Sequence, residues 1–287
     1  MPSLIDFRRR IRSVKNTQQI TKAMKMVSAA KLRRAQDAVI AARPFGNSLR
    51  AMLANVATAS KGAAVNEQNP LLAERPEERV QVIVISSDRG LAGAFSTNLN
   101  KAAQKFCIED KAGRKIEIEA VGKKAKDYFR RRNFTISGEI FGVTRAPKYS
   151  HAADIAKKVI ERYTKGEIDS VYVAYNEFKS VSTQKPDVMQ ILPVPLPQSG
   201  DTTGYIFEQP VEQLLETLLP RYVEVLIFRA ILESTAAEHA ARMTAMDAAS
   251  SNAADVIEKL TLYMNRVRQA SITREIIEVV SGASALE

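Results

Sequence analysis

Glycine and proline, the two residues least tolerated inside a helix, are absent from residues 3–43 and again from residues 221–281. Both stretches therefore read as long helices, and at 1.5 Å per residue the second would extend roughly 90 Å, against ~30 Å for a small domain. Such helices need a partner along their length. Cysteine is nearly missing: Cys107 alone excludes an internal disulfide and any multi-cysteine metal or redox centre, and it points to a reducing compartment. The only histidines, His151 and His239, are too few and too widely separated to found a zinc site. No apolar run reaches the ~18 residues of a membrane-spanning helix.

What is present is ordinary globular composition, 45% hydrophobic and 26% charged, in a chain of 287 residues that can hold one or two domains. Turn-forming residues gather between Pro44 and Pro220. The expected organisation is an N-terminal long helix within 1–60, an α/β domain within 75–195 and a C-terminal long helix within 208–287.

Charge is distributed unevenly. Residues 1–60 carry twelve Lys or Arg against Asp6 and Asp37, which equals the whole net charge of +10. The first helix must therefore face something acidic, phosphate or carboxylate. A basic coiled-coil nucleic-acid-binding protein is one reading. However, only Phe7 and Phe45 are available for base stacking in this region, and Arg12 with Asn16 is a weak imitation of a base-reading helix. The Arg-rich, acid-poor stretch Ile5 to Lys25 also resembles a transit peptide, but its helical pattern continues to Arg43 without a cleavage-like break.

Both long stretches carry a stripe with residues alternately three and four apart. In the first it runs through Ile11, Val14, Gln18, Thr21, Lys25, Ser28, Leu32, Ala35, Val39 and Ala42. In the second it runs through Met243, Met246, Ser250, Ala253, Ile257, Leu260, Met264, Val267 and Ser271. Polar and small members dilute both stripes, which predicts a close but moderate seam. The simplest arrangement is an intramolecular antiparallel pair. Pro44 with Gly46 should kink or break the first helix, with helix resuming from Asn47 to Ala59. A short helix over 211–219 should precede a new start at Pro220, and Gly282 should stop the last helix.

The centre reads as α/β. Val80 to Ser86 is a continuous apolar run typical of a buried parallel strand, followed by a turn and a helix to about Phe106. Further strands are expected at 115–121, 170–178 and 188–194, with helices at 123–132 and 150–165; Pro193, Pro195 and Pro197 make a stiff exit. The turn after the first strand has only Gly90 and Gly93, lacking the dinucleotide fingerprint and the phosphate-loop Gly-Lys-Ser/Thr. Asp88 beside Arg89 reads as a capped turn, and no nucleophile, base and orienting acid stand in a recognisable arrangement. No catalytic residue, metal or cofactor is expected.

The segment Ile272-Thr273-Arg274-Glu275-Ile276-Ile277-Glu278-Val279-Val280-Ser281-Gly282-Ala283-Ser284 closely resembles the C-terminal signature of the γ subunits of F-type ATP synthases, in their bacterial form. Ile11 to Ala30, Ser86 to Gly93 with Asn98, and Ala240 to Ser250 are also similar to that family, in the same order. The resemblance implies a central rotor shaft of two paired helices around an inserted Rossmann-like α/β domain, itself non-catalytic. It implies as partners the α and β subunits of the catalytic hexamer, the ε subunit and the c-ring.

By the same resemblance, Met24 and Lys25 stand where the shaft meets the β lever loops, and Arg242 where the family packs an arginine near that methionine. Arg268 and Gln269 match residues that engage a β catch loop, and Thr273, Glu275 and Glu278 match positions important to coupling. Met24 equally suits seam packing, and Arg242, Glu275 and Glu278 suit surface charges of a helix. The family's chloroplast members carry a two-cysteine insertion that is missing here. The implied location is peripheral, on the cytoplasmic face of a bacterial plasma membrane, although a mature mitochondrial chain satisfies the same physics.

Overall fold

A computed structural model describes residues 4–59, 69–195 and 209–284. In chain order the elements are α1 (Leu4–Ala59), β1 (Arg79–Ile85), α2 (Phe95–Lys105), β2 (Lys115–Val121), α3 (Lys123–Arg130), β3 (Thr135–Ile140), α4 (Tyr149–Thr164), β4 (Ser170–Phe178), β5 (Gln184–Leu192) and α5 (Val211–Ser284). Cys107 lies in a π-helical turn, Phe106–Asp110, that extends α2.

The strands form one sheet in the order β3-β2-β1-β4-β5. The first four are parallel, and β5 runs antiparallel to β4. Side chains of β1 alternate between two cores, as the period of a strand requires. Val80, Val82 and Val84 pack with Leu99, Phe129 and Ile118 on one face. Ile83 and Ile85 pack on the other with Ile155 and Val159 of α4 and with Val223 and Ile227 of α5. Burial on both faces explains why β1 reads as a continuous run of β-branched residues rather than an alternating pattern.

By density of contacts the chain forms two compact units, one of residues 1–28 and 243–287 and one of residues 29–242. The divisions fall inside α1 and α5 rather than near residues 60 and 208. Leu49, Leu53 and Val56 of α1 and Leu215, Leu219 and Val223 of α5 are buried in the same core as the sheet, so these helical halves belong to the α/β unit.

Neither internal proline ends its helix: α1 continues through Pro44, and the separate short helix expected before Pro220 is the first part of α5. Each proline removes one backbone hydrogen bond at a cost of about 3 kcal/mol. Val39, Leu49 and Leu53 flank Pro44, and Leu215, Leu219, Val223 and Leu226 flank Pro220, all buried. At about 1.5–3 kcal/mol per buried side chain, packing on both sides outweighs the lost bond. Gly282 does not stop α5 either, since it lacks a left-handed φ and the helix continues to Ser284.

Two strands differ from expectation. β3 was not anticipated, because a six-residue edge strand carrying Gly138 and no fully buried side chain gives little signal. β5 begins at Gln184 rather than Val188. Of the three exit prolines, Pro197 lies outside the described residues.

Candidate interaction surfaces

In the unit of residues 1–28 and 243–287, α1 and α5 run antiparallel. Phe7 stacks on Tyr263 with ring centroids 5.1 Å apart, Gln18 Nε2 donates to the Ser250 carbonyl at 3.2 Å, and Lys25 Nζ meets Asp247 Oδ1 at 2.6 Å. As numbers rise along α1 they fall along α5. The seam follows the stripes read from the sequence: Thr21, Ser28, Met246, Ser250 and Ala253 are buried, and Ile11, Val14, Ile257, Leu260, Met264 and Val267 are half-buried. Around it Arg8, Arg9, Arg10, Arg12, Lys15 and Lys22 are exposed.

The register leaves part of α5 without this partner. Phe7 opposite Tyr263 places Leu4, the first described residue, opposite Arg266. Beyond that point α5 extends past the described part of α1, and every residue of 272–282 is exposed, including Ile272, Ile276, Ile277, Val279 and Val280. Arg268 and Gln269, both exposed, begin two adjacent stripes at three- and four-residue spacing that continue into these apolar positions. Thr273 Oγ1 donates to the Gln269 carbonyl at 3.0 Å, Ser271 Oγ donates to Glu275 Oε1 at 3.1 Å, and Glu278 is exposed. Arg268, Gln269, Thr273, Glu275 and Glu278 thus gather on one exposed helical segment.

Met24 is half-buried and Lys25 is committed to Asp247. Sequence reasoning missed Ile20, Met26 and Val27, large apolar side chains of α1 that face outward. Their signal was available, because apolar residues off a seam of fixed period have no internal place to go.

Arg242, in the other unit, is not a free surface charge. It lies between Glu238 Oε1 at 2.6 Å and the Gly90 carbonyl at 3.5 Å, and it approaches His239 Nδ1 at 3.4 Å. Burial, then Arg242 and Lys31, lower the pKa of His239 from 6.5 to about 4, so the imidazole is neutral at pH 7.

The loop that Arg242 reaches follows β1, at the carboxyl edge of the sheet where β1 has β2 on one side and β4 on the other. Open α/β folds receive ligands at this switch point. Here α5 fills it: Ser234 Oγ donates to the Ile85 carbonyl at 2.9 Å, and Ala237 packs on Ala92 and Phe95. Asp88 accepts from the amides of Lys123 (3.1 Å) and Gly142 (2.8 Å), which confirms it as a turn-holding residue. The loop presents Leu91 outward with φ of 65°, a backbone state costing of order 1–3 kcal/mol that persists only where surroundings impose it. Among the described residues no cluster of His, Cys, Asp and Glu could hold a metal ion, and no helix is long and apolar enough to cross a membrane.

An antiparallel pair of long helices in one unit, and in the other an α/β domain whose ligand crevice is filled by its own helix, define a protein of paired long helices and an α/β domain. The comparisons agree with that class. The family described as ATP synthase matches residues 3–286. The chain is 60% identical to the ATP synthase gamma chain of Solibacter usitatus and 49% identical to that of Pelotomaculum thermopropionicum, covering all of both chains in each case. The chain belongs to this family of ATP synthase gamma chains. A chain of the Euglena gracilis mitochondrial ATP synthase, in a structure titled OSCP/F1/c-ring, rotational state 3, shares the fold. It is 21% identical with a TM-score of 0.67, over 99% of this chain and 94% of that one. A chain from the Tetrahymena thermophila mitochondrial ATP synthase central stalk and c-ring aligns at 22% identity and TM-score 0.60, over 80% of this chain and 99% of that one.

Proposed function

We propose that this chain is the central rotor stalk of an F-type ATP synthase, a non-catalytic subunit that couples ion flow through the membrane sector to ATP synthesis and hydrolysis by α and β subunits. The observation that carries this reading is the overhang of α5, a single asymmetric tip with an exposed apolar stripe beginning at Arg268 and Gln269. A ring of equivalent catalytic subunits works in sequence only if something inside it breaks the symmetry. One asymmetric shaft does so by offering each β subunit a different contact at each angle, which shifts that subunit between open and closed states.

In this reading residues 1–60 and 208–287 provide the shaft, and residues 75–195 form a domain outside the hexamer, against the ε subunit and the c-ring. Arg8, Arg9, Arg10, Arg12, Lys15 and Lys22 of α1 face acidic loops of β. Solvated pairs of this kind contribute only ~0–1 kcal/mol each, enough to guide rotation without locking it. Arg268 and Gln269 engage a β loop directly, supported by Thr273, Glu275 and Glu278. Met24 and Lys25 lie at the β lever loops. Arg242 acts on that region by holding the Gly90 loop rather than by touching β. The chain is a peripheral component, on the cytoplasmic face of a bacterial plasma membrane.

Reconstitution with α and β subunits tests the proposal. The expected result is a stable complex in which a bead fixed to the α/β domain of this chain rotates during ATP hydrolysis, while the chain alone has no ATPase activity. Turnover by the isolated chain, or a hexamer that neither binds nor turns it, overturns the reading.

A further inference from the structure

Within the unit of residues 29–242, α1 crosses close to α5: a Cβ on Gly46 would stand 3.7 Å from Val225 Cγ1. Beside this crossing lies a cavity of about 470 Å³ between α1, α5 and the start of α4. Its walls are apolar, built by Val39, Leu232, Phe228 and Tyr149, with the last two rings meeting edge to face at 5.5 Å. The phenol of Tyr149 is already satisfied by donating to Glu224 Oε2 at 2.5 Å.

Among the described residues two cations reach the cavity, and only one of them is uncommitted. Arg229 Nε donates to Glu233 Oε1 at 2.9 Å, which neutralises it. Arg43 lines the cavity, is exposed, and has no acidic partner among the described residues; the amide of Asn47 lies one turn further along the same face. The volume is in the range of small-molecule sites, which combine apolar walls with a few polar groups that fix orientation.

We infer that this cavity is a binding site for an amphipathic organic monoanion, a carboxylate or sulfonate on an aryl or medium-length alkyl body, with its charge on Arg43 and its body against Phe228 and Tyr149. A nucleotide or inorganic phosphate is excluded by the chemistry: several negative charges would face one free cation and apolar walls. The site lies on the parts of α1 and α5 that belong to the unit of residues 29–242 and uses none of the residues proposed to contact β, so the inference does not rest on the rotor reading.

Fluorescence titration of the full chain with 8-anilinonaphthalene-1-sulfonate tests it. One saturable site is expected, emptied by dodecanoate but not by dodecyltrimethylammonium or inorganic phosphate. Arg43→Glu, at an exposed position, should weaken the probe at least about tenfold, the loss of one charge-assisted hydrogen bond. Ala42→Phe, which fills the cavity from α1, should abolish binding; circular dichroism checks that both variants fold. No saturable site, displacement by the cationic amphiphile as readily as by dodecanoate, or unchanged affinity in Arg43→Glu overturns the assignment.

Discussion

The hydroxyls of Thr21 and Ser250 lie 2.6 Å apart across the seam of α1 and α5, both residues less than a tenth exposed. Each hydroxyl also sits within bonding distance of a carbonyl on its own helix, Gln18 for Thr21 and Met246 for Ser250. Two protons must serve three contacts, so one of the three is always without its proton. A polar lock of this kind specifies register more than it adds stability.

Thr21→Val keeps the shape and removes the bond, and should destabilise the chain by on the order of 1 kcal/mol. Adding Ser250→Ala should cost less than the sum of the two single changes, because the pair acts as a unit. A double-mutant cycle by urea denaturation measures this, and strict additivity would refute the lock.

Gly122 is a sharper case. Its φ is +104°, and a Cβ there would meet the Ser86 carbonyl oxygen at 2.4 Å, backbone that cannot swing aside. Gly122→Ala should cost more than about 3 kcal/mol, read as a drop in the denaturation midpoint.

His239 ties stability to pH. Its folded pKa of about 4 lies below the unfolded value near 6.5, so between these pH values the unfolded chain binds more protons. The contribution of neutral His239 is complete above pH 6.5, declines as pH falls, and levels off below about pH 4 with a loss of about 3 kcal/mol. His239→Gln should lose less stability than the unaltered chain between pH 7 and pH 4.5. Parallel curves for the two proteins would show that His239 does not carry the dependence.

Cys107 is buried, and burial pushes its thiol up to about 12. The native chain should leave 5,5′-dithiobis(2-nitrobenzoate) uncoloured for as long as it stays folded, and release one thiolate equivalent in guanidinium. Rapid reaction under native conditions would mean that the π-helical turn opens easily.

Arg268 and Gln269 separate stability from coupling. Both are exposed on the overhang, so the double alanine variant should keep the isolated chain within about 0.5 kcal/mol of its original stability. In the reconstituted hexamer the same variant should slow ATP-driven rotation several-fold, roughly the loss of 1 kcal/mol of differential contact. Unchanged rotation would remove these two residues from the coupling surface.

Much of the architecture was legible residue by residue. The valines and isoleucines of β1 read as a strand buried on both faces, β4 carries a similar run, and β2 alternates charged and apolar residues before ending in Ala120 and Val121. The three-four stripes through Thr21 and Ser250 were readable as a seam. Edge strand β3 was not, because a half-exposed strand needs little specific side-chain chemistry. Arg242 was not either. As a charge on a long helix it looked like surface; its i, i+4 pair with Glu238 is local, but its contact with the Gly90 carbonyl depends on a loop some 150 residues earlier in the chain.

Local sequence alone determined the long helical spans, the side of each that is apolar, the sign of the charge on α1 and the core strands. These follow from backbone propensity, side-chain period and formal charge, which act over a few residues. Tertiary structure decided three things that they could not. It carried α1 through Pro44 and α5 through Pro220, since burial of flanking leucines and valines outweighs one lost hydrogen bond. It placed α5 in the crevice where an α/β fold otherwise takes a ligand. It also set Phe7 against Tyr263, and with that register which residues of α5 extend past the described part of α1. A three-four stripe accepts several alignments, and only the sum of contacts between residues more than two hundred positions apart selects one.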